Sequence, residues 1–219
     1  MRRVLVLRPE PGASATVERA RAMGLEAVAA PLFEVEPVEW QTSDPARFDG
    51  LLLTSANAVR HGGPQLASLR GLPVYAVGEA TADAAREAGF EVAATGDSDI
   101  ERLLSAIPAD LRLLHLAGED RREPAATQAI IRVTLYRARP IDNPGFSARG
   151  TVALIHSPRA GRRFAELVED RAGIAIAAIS PAAAEAVGSG WEIVEAAGRP
   201  TDEAVLVLAS RLCNKPAPQ

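Results

Sequence analysis

The feature that most constrains the fold is an internal duplication. Residues 51–59 and 152–160 both read as an apolar stretch, a small polar residue and a helix start. Ser55 and Ser157 take equivalent places, 102 positions apart (157 − 55), and Gly78 and Ser180 follow two further apolar stretches at the same offset (180 − 78). A strand–turn–helix unit that is used twice predicts two similar α/β halves with parallel sheets.

Strand-length apolar runs alternate with segments of helical composition along the whole chain, which favours right-handed crossovers between parallel strands. The predicted strands cover residues 4–7, 26–30, 50–54, 74–77, 91–94, 112–116, 129–138, 151–155, 174–179 and 192–196. The predicted helices cover residues 14–23, 57–62, 80–88, 100–107, 160–169, 181–187 and 201–213. We therefore expect two three-layer α/β domains.

Two proline-bearing segments predict linkers at about residues 31–40 and 130–140. The simplest arrangement is a discontinuous first domain of residues 1–35 plus 140–219 and a second domain of residues 41–130. Two consecutive domains would instead leave residues 1–35 unable to bury both faces of their strands. The linkers are expected to run side by side as a two-stranded hinge, with residues 31–37 exposed. A cleft between the halves would be lined by strand ends and helix N-termini, which suits an anionic ligand.

Composition excludes several classes of protein. The chain has 219 residues, of which 47% are hydrophobic, so it can bury a core. A net charge of −4 argues against a nucleic-acid partner. One cysteine and three scattered histidines predict neither an intramolecular disulfide nor a metal site. The first apolar run stops at Arg8, too short for a signal sequence, and no run is long enough for a membrane span. We expect a cytoplasmic protein, and a monomer by default.

Candidate ligand-binding residues follow the predicted strands, because open parallel sheets bind ligands beyond the carboxyl ends of their strands. These residues are Thr54, Ser55, Gly78, Ser157 and Ser180. The plain structural alternative is that a serine before a helix is an ordinary N-cap. Arginines near strand ends suit carboxylates, with solvated surface arginine as the alternative.

Tyr136 lies in the β-rich segment 129–138 and is one of two tyrosines. A phenol near a cleft can donate a proton to a departing hydroxyl, although a half-buried strand tyrosine is the alternative. Among the histidines, His61 is expected to be solvated in a turn, His115 to lie in a strand core or edge, and His156 to lie at a strand end. No nucleotide-binding glycine motif or nucleophile elbow is present.

Five segments in this order resemble the uroporphyrinogen-III synthase family, namely residues 53–59, 74–82, 133–137, 156–159 and 178–182. The resemblance implies two α/β domains joined by a two-stranded ribbon. It also implies a cofactor-free lyase that cyclises hydroxymethylbilane, a linear tetrapyrrole with eight carboxylates, and inverts its last pyrrole ring. The product would be uroporphyrinogen III, in tetrapyrrole (haem) biosynthesis. A transient contact with hydroxymethylbilane synthase is an expectation of the same kind.

The resemblance also implies roles for particular residues. Tyr136 matches the family's tyrosine that assists hydroxyl departure, so we predict it to be catalytic. The predicted substrate-binding residues are Arg8, Thr54, Ser55, Asn57, Gly78, Thr81, Ser157, Arg159, Ser180 and Ala182. Two departures from the family pattern stand out: alanines follow Pro181 where some relatives have threonines, and the segment 122–130 is short. The shortening argues against roles for Arg121 and Arg122.

Two other functions fit the same pattern. One is a non-catalytic two-domain protein that binds a tetrapyrrole or another anion. The other is a sensor domain that closes about its hinge on a small ligand. An assay with hydroxymethylbilane separates the enzyme from both alternatives.

Overall fold

The computed structural model describes residues 2–41, 44–97, 99–120 and 124–214 and confirms the predicted α/β class. Its strands are β1 Arg3–Val6, β2 Ala27–Ala29, β3 Phe33–Pro37, β4 Gly50–Leu53, β5 Val74–Val77, β6 Val92–Gly96, β7 Arg112–Gly118, β8 Ala129–Pro140, β9 Thr151–Ile155, β10 Ala175–Ala178 and β11 Ile193–Ala196. Its α-helices are α1 Gly12–Ala22, α2 Ala56–His61, α3 Glu79–Glu87, α4 Ile100–Ser105, α5 Pro158–Leu167, α6 Pro181–Ala186 and α7 Asp202–Cys213. Short 3-10 helices cover Pro45–Arg47 and Pro64–Leu69.

The chain divides into two compact units. The first unit combines Met1–Glu34 with Pro140–Gln219, and the second unit is Val35–Arg139. None of the helices in the described ranges is both long and apolar enough to cross a membrane.

The first unit contains a five-stranded sheet in the order β11-β10-β9-β1-β2. All four strand pairs are parallel, with Val4 opposite both Ala27 and Val152 in the register. Strands β9 and β10 are buried along their whole length, as expected for parallel strands covered on both faces. Valine, leucine and alanine side chains of the sheet pack against α1 and α7 in one cluster. Elsewhere in the unit, Phe164 stacks against both Phe146 and Trp191, with ring centroids 5.7 and 5.2 Å apart.

The second unit contains a six-stranded sheet in the order β3-β8-β7-β4-β5-β6. Strands β8, β7, β4, β5 and β6 pair in parallel. The main core cluster joins Leu51, Leu53, Leu114, Leu116 and Leu135 to the neighbouring helices. Because successive parallel strands end at the same edge of a sheet, the turns after β4, β5 and β7 share one edge.

The segments predicted as linkers belong largely to this sheet. Strand β8 pairs with β7 from Ala129 to Tyr136, so most of residues 130–140 belong to this sheet. Strand β3 lies beside β8, and the Val38 N–H donates to the Leu135 carbonyl at 2.7 Å. The predicted exposure of residues 31–37 is wrong at Leu32 and Phe33, which are buried. The Arg159 guanidinium, distant in the chain, lies over the Phe33 ring at 4.3 Å from its centroid.

Candidate functional site

Polar contacts hold the turn after β4. Thr54 Oγ1 lies 3.2 Å from Nε2 of His115, which is 1% exposed in β7. The prediction of a core histidine is thus correct for His115. Ser55 is the N-cap of α2, and its Oγ accepts a hydrogen bond from the Asn57 N–H at 3.2 Å. Ser55 therefore acts as an ordinary N-cap, because its hydroxyl accepts a hydrogen bond from one N–H group at the start of α2. The turn that contains Ser55 lies at the carboxyl edge of the sheet.

The turn after β5 is built on a glycine backbone. Gly78 caps α3 with φ +84°, a left-handed conformation that side-chain-bearing residues rarely adopt. Its carbonyl accepts from the N–H groups of Thr81 and Ala82 at 3.1 and 3.2 Å, and its own N–H donates to the Gly96 carbonyl at 2.8 Å. Among the described residues, no side chain caps this helix end. Thr81 is only 5% exposed, so its side chain packs inside the unit rather than at the edge.

Tyr136 lies at the same edge of the second unit's sheet. It is paired with Gly118, the last residue of β7, after a shift in register between Ala117 and Gly118. Its carbonyl accepts from the Glu119 N–H at 2.9 Å, and its ring packs against the core cluster. Tyr136 is therefore half-buried and lies opposite the last residue of β7. The alternative of a half-buried strand tyrosine is thus correct, and the role of the phenol stays a prediction.

His61 is close to Tyr136, against the expectation of a solvated turn residue. It is the last residue of α2 and is partly buried, with its ring centroid 6.0 Å from that of Tyr136. Burial, and to a smaller extent the charge of Arg60, lowers the pKa of His61 below its ordinary value of 6.5. His61 still belongs to α2, and the turn predicted from His-Gly-Gly-Pro begins one residue later, at Gly62.

The first unit has two matching strand-end turns. Ser157 caps α5 and its Oγ accepts from the Ala160 N–H at 3.1 Å. Ser180 caps α6 and accepts from the Ala183 N–H at 3.3 Å. Both helices have proline at their first positions, where the missing N–H costs nothing. Ala182 is exposed beside Ser180, and Arg159 lies in the first turn of α5.

An ion cluster occupies the carboxyl edge of the first unit, centred on Asp202. Nε2 of His156 lies 2.8 Å from Asp202 Oδ1, Thr16 Oγ1 donates to the same carboxylate at 2.9 Å, and Arg19 Nε donates at 2.9 Å. Arg8 reaches the carboxylate at 3.4 Å. Burial alone would raise the pKa of Asp202, but the hydrogen bonds from His156, Thr16 and Arg19 outweigh burial and hold that pKa well below its usual value.

Two residues considered in the sequence analysis, His156 and Arg8, bind Asp202 in this cluster. His156 is at a strand end as predicted, but its side chain is only 8% exposed and is bound to Asp202. Arg8 is partly committed to the same carboxylate rather than free to meet a ligand. The sequence predicts a helix over residues 201–213 and gives Asp202 no further role. The contacts of Asp202 join residues 46 to 194 positions apart, and no local pattern signals them.

The candidates thus fall into two groups, one in each unit. The candidates at or beside the carboxyl edge of the second unit's sheet are Thr54, Ser55, Asn57, Gly78 and Tyr136. Thr81 is buried in the same unit. Arg8, Ser157, Arg159, Ser180 and Ala182 lie at or beside the corresponding edge in the first unit. Arg121 and Arg122 are outside the described residues. Within the described ranges, no group of three or more His, Cys, Asp or Glu residues is placed to hold a metal ion.

Comparison with known proteins gives one family and one fold. The family model described as uroporphyrinogen-III synthase HemD matches residues 14–206. The uroporphyrinogen-III synthetase of Helicobacter pylori 26695 is 20% identical, with a TM-score of 0.68, over 97% of this chain and 100% of that one. A mutant uroporphyrinogen III synthase of the extremely thermophilic bacterium Thermus thermophilus is 16% identical, with a TM-score of 0.53, over 98% of this chain and 100% of that one. No curated protein sequence matches the chain at a significant level. At these identities the structural likenesses show the fold.

Proposed function

Because this chain belongs to the uroporphyrinogen-III synthase family, we propose that its two strand-end edges bind hydroxymethylbilane and that Tyr136 assists its cyclisation to uroporphyrinogen III. The family makes the chain an enzyme of haem biosynthesis with a small-molecule substrate. The finer assignments belong to the proposal: a lyase that eliminates water, acting as a monomer in the cytoplasm, with a transient contact to hydroxymethylbilane synthase.

The observation that carries the proposal is the position of Tyr136. Tyr136 lies at the carboxyl edge of the second unit's sheet. The turns that contain Ser55 and Gly78 lie at the same edge. A positioned phenol can protonate a leaving oxygen, a contribution of about 10²–10⁴ in rate for general acids.

The proton movements balance within the substrate and Tyr136. The bond from the terminal carbon to its hydroxyl breaks, the oxygen takes the phenol proton and leaves as water, and the pyrrole nitrogen lone pair stabilises the resulting azafulvenium cation. The substituted carbon of the last ring then bonds to that carbon to give a spiro intermediate. The older bond from the substituted carbon to its bridging methylene breaks, and the methylene bonds to the free α-carbon of the same ring, which inverts the ring. Loss of a ring proton restores aromaticity, and the tyrosinate recovers a proton.

Substrate carboxylates are proposed to bind locally, because a chain with a net charge of −4 does not attract a polyanion from a distance. In the first unit, α5 begins with Ser157 and carries Arg159 in a first turn without acidic residues. A charge-assisted hydrogen bond contributes about 1.5–3 kcal/mol, and micromolar affinity needs about 8 kcal/mol. Three to five such contacts from the proposed residues are sufficient before the cost of association is subtracted.

The test is an assay with hydroxymethylbilane generated enzymatically in the same vessel, with the product isomers separated after oxidation. Uroporphyrinogen III formed faster than the spontaneous background supports the proposal. Exclusive formation of the symmetric uroporphyrinogen I, at the rate of the protein-free control, would leave a non-catalytic tetrapyrrole binder as the better description. Denatured protein is the control for adventitious catalysis.

A further inference from the structure

A glycine lies directly beneath the Tyr136 ring. A Cβ built on Gly118 would come within 2.6 Å of Cε2, 2.8 Å of Cζ and 3.1 Å of the phenol oxygen of Tyr136. Separations under 3 Å are far inside normal van der Waals contact. The atoms that a side chain here would displace are therefore those at the hydroxyl end of the ring.

The backbone at Gly118 does not itself require glycine. Its φ lies outside the left-handed region, in contrast to Gly78 of the same unit, whose φ is +84°. Gly118 is instead the last residue of a parallel strand, where most residue types are compatible with the backbone. The three atoms nearest to a Cβ at this position all belong to Tyr136, so a side chain here would require that ring to shift.

The local strand irregularity brings the ring onto Gly118. Ala117 is paired with Thr134, whereas Gly118 is paired with Tyr136, so β8 carries one extra residue at this point. Such irregularities redirect side chains at strand ends. Leu135, the extra residue, is fully buried in the core cluster. The buried leucine and the Glu119 N–H bond to the Tyr136 carbonyl together anchor the backbone that carries the ring.

We propose that Gly118 is a positioning residue for the reaction, because the absence of a side chain at this position allows the Tyr136 phenol to occupy its observed place. This inference rests on the proposed function, in which that phenol donates a proton. Gly118 carries no functional side chain, so in this proposal it acts through the position of Tyr136. His61, with its ring 6.0 Å from that of Tyr136, is a further neighbour of the ring.

The second tyrosine of the chain supplies a matched control. A Cβ on Gly50 would come within 2.6 Å of Cε2 and 3.1 Å of Cδ2 of Tyr75, in the same sheet. It would also meet the Pro73 carbonyl at 3.0 Å. The two glycines thus share a ring contact, but only the contact at Gly118 involves the hydroxyl end of a tyrosine proposed to act in the reaction.

The experiment is a double-mutant cycle of Gly118→Ala and Tyr136→Phe, with kcat and KM measured for uroporphyrinogen III formation. We expect Gly118→Ala to lower kcat by at least about tenfold, since a displacement of about 1 Å can cost about 10² in rate. KM should change by no more than about twofold. In the Tyr136→Phe background, Gly118→Ala should have no further effect on kcat, because interacting residues are not additive. Gly50→Ala should leave kcat near that of the wild type.

Two failures are distinguishable. If Tyr136→Phe slows the reaction but Gly118→Ala does not, or if their effects multiply, the role of Gly118 is overturned and the proposed function stands. If Tyr136→Phe leaves kcat unchanged, the role of Tyr136 in the proposed function falls together with this inference.

A measurement on the wild type keeps the inference testable even if Gly118→Ala fails to fold. We expect a strong nuclear Overhauser effect between the Hα protons of Gly118 and the Hε protons of Tyr136. Its absence from a folded sample would overturn the inference. Where the variant folds, tyrosine labelled with ¹³C at Cζ should give two signals, and Gly118→Ala should move the one that Tyr75→Phe does not remove.

Discussion

The carboxyl edges of the two sheets share a backbone plan and differ in their side chains. In the first unit, the strand-end turns of Ser157 and Ser180 lead into helices that begin with proline, beside Arg159 and the ion cluster of Asp202. In the second unit, the turns of Ser55 and Gly78 lie at the edge that holds the Tyr136 ring. The two units share the strand–turn–helix geometry but differ in the side chains at the edge. Arg159 and the Asp202 cluster lie at the edge of the first unit, whereas the Tyr136 ring and Glu79 lie at the edge of the second.

The difference suggests a division of work within the proposed function. The edge of the first unit suits carboxylate binding through Arg159, because arginine donates charge-assisted hydrogen bonds. An edge with a phenol and hydroxyl groups suits proton donation. Variants of the first unit should then change affinity or stability, and variants of Tyr136 should change turnover.

The largest expected effect follows from removing the phenol. Tyr136→Phe should lower kcat by about 100-fold, in the range of a lost general acid, and should change the unfolding free energy by no more than about 1 kcal/mol. Steady-state kinetics and urea denaturation measure the two quantities. Tyr75→Phe is the control and should keep wild-type kcat. An unchanged kcat in Tyr136→Phe would contradict the proposal that the second unit's edge donates the proton.

The second effect concerns the stability of the charged edge. Asp202→Asn should lower the unfolding free energy by roughly 2–3 kcal/mol, because the neutral amide weakens bonds to His156 and Arg19 that are partly shielded from water. Asp83→Asn is the control, since Asp83 pairs with Arg86 on an exposed helix surface and should cost no more than about 1 kcal/mol. Equal losses in both variants would show that the cluster is no more stabilising than a surface ion pair.

A smaller effect is expected for substrate affinity. Arg159→Ala should raise KM about tenfold with little change in kcat, since the loss of one charge-assisted contact of about 1.5 kcal/mol corresponds to that factor. Arg149→Ala is a matched control, because Arg149 is exposed and precedes β9, at the opposite end of the strand from Ser157. A change confined to kcat would place Arg159 in the reaction rather than in binding.

The smallest effect concerns acid stability in the second unit. Hydrogen bonds from the Arg112 side chain and backbone lower the pKa of Asp49 from 3.8 to about 2. Because the folded pKa is the lower one, this contribution is present above about pH 4 and is lost as the pH falls to about 2. Asp49→Asn should therefore be slightly less stable than the wild type at neutral pH, with the difference vanishing at about pH 2 in thermal melts. A difference that grows on acidification would contradict the assignment. The pKa of Asp202 is also lowered in the folded protein, so its contribution to stability should likewise be lost as the pH falls.

Much of the fold was predictable because it rests on local patterns. Apolar runs such as residues 152–155 give buried parallel strands, and Ser157 before Pro158 marks a helix start. The long-range contacts were not predictable in this way. Asp202 binds His156 through space, and Tyr136 lies on Gly118, eighteen positions earlier in the chain. His61 was placed in solvent because the sequence signals the turn after α2 but not the ring that packs beside it.

The candidate site shows the same limit. The strand-end serines were identifiable, but their hydroxyls bind the helix N–H groups that local reasoning assigns to an N-cap. Thr81 matched a family position, yet its side chain is buried, because α3 turns that face toward the core. Residue type and order therefore predict which turns form the edge, and tertiary packing decides which side chains reach it.

A single-turnover experiment tests the central claim most directly. Excess wild-type protein or Tyr136→Phe is mixed with hydroxymethylbilane, and the ratio of uroporphyrinogen III to uroporphyrinogen I is followed in time. The account predicts isomer III from the wild type, and a rise of isomer I in the variant as spontaneous closure overtakes the slowed reaction. Isomer I alone from the wild type, at the rate seen without protein, would contradict it.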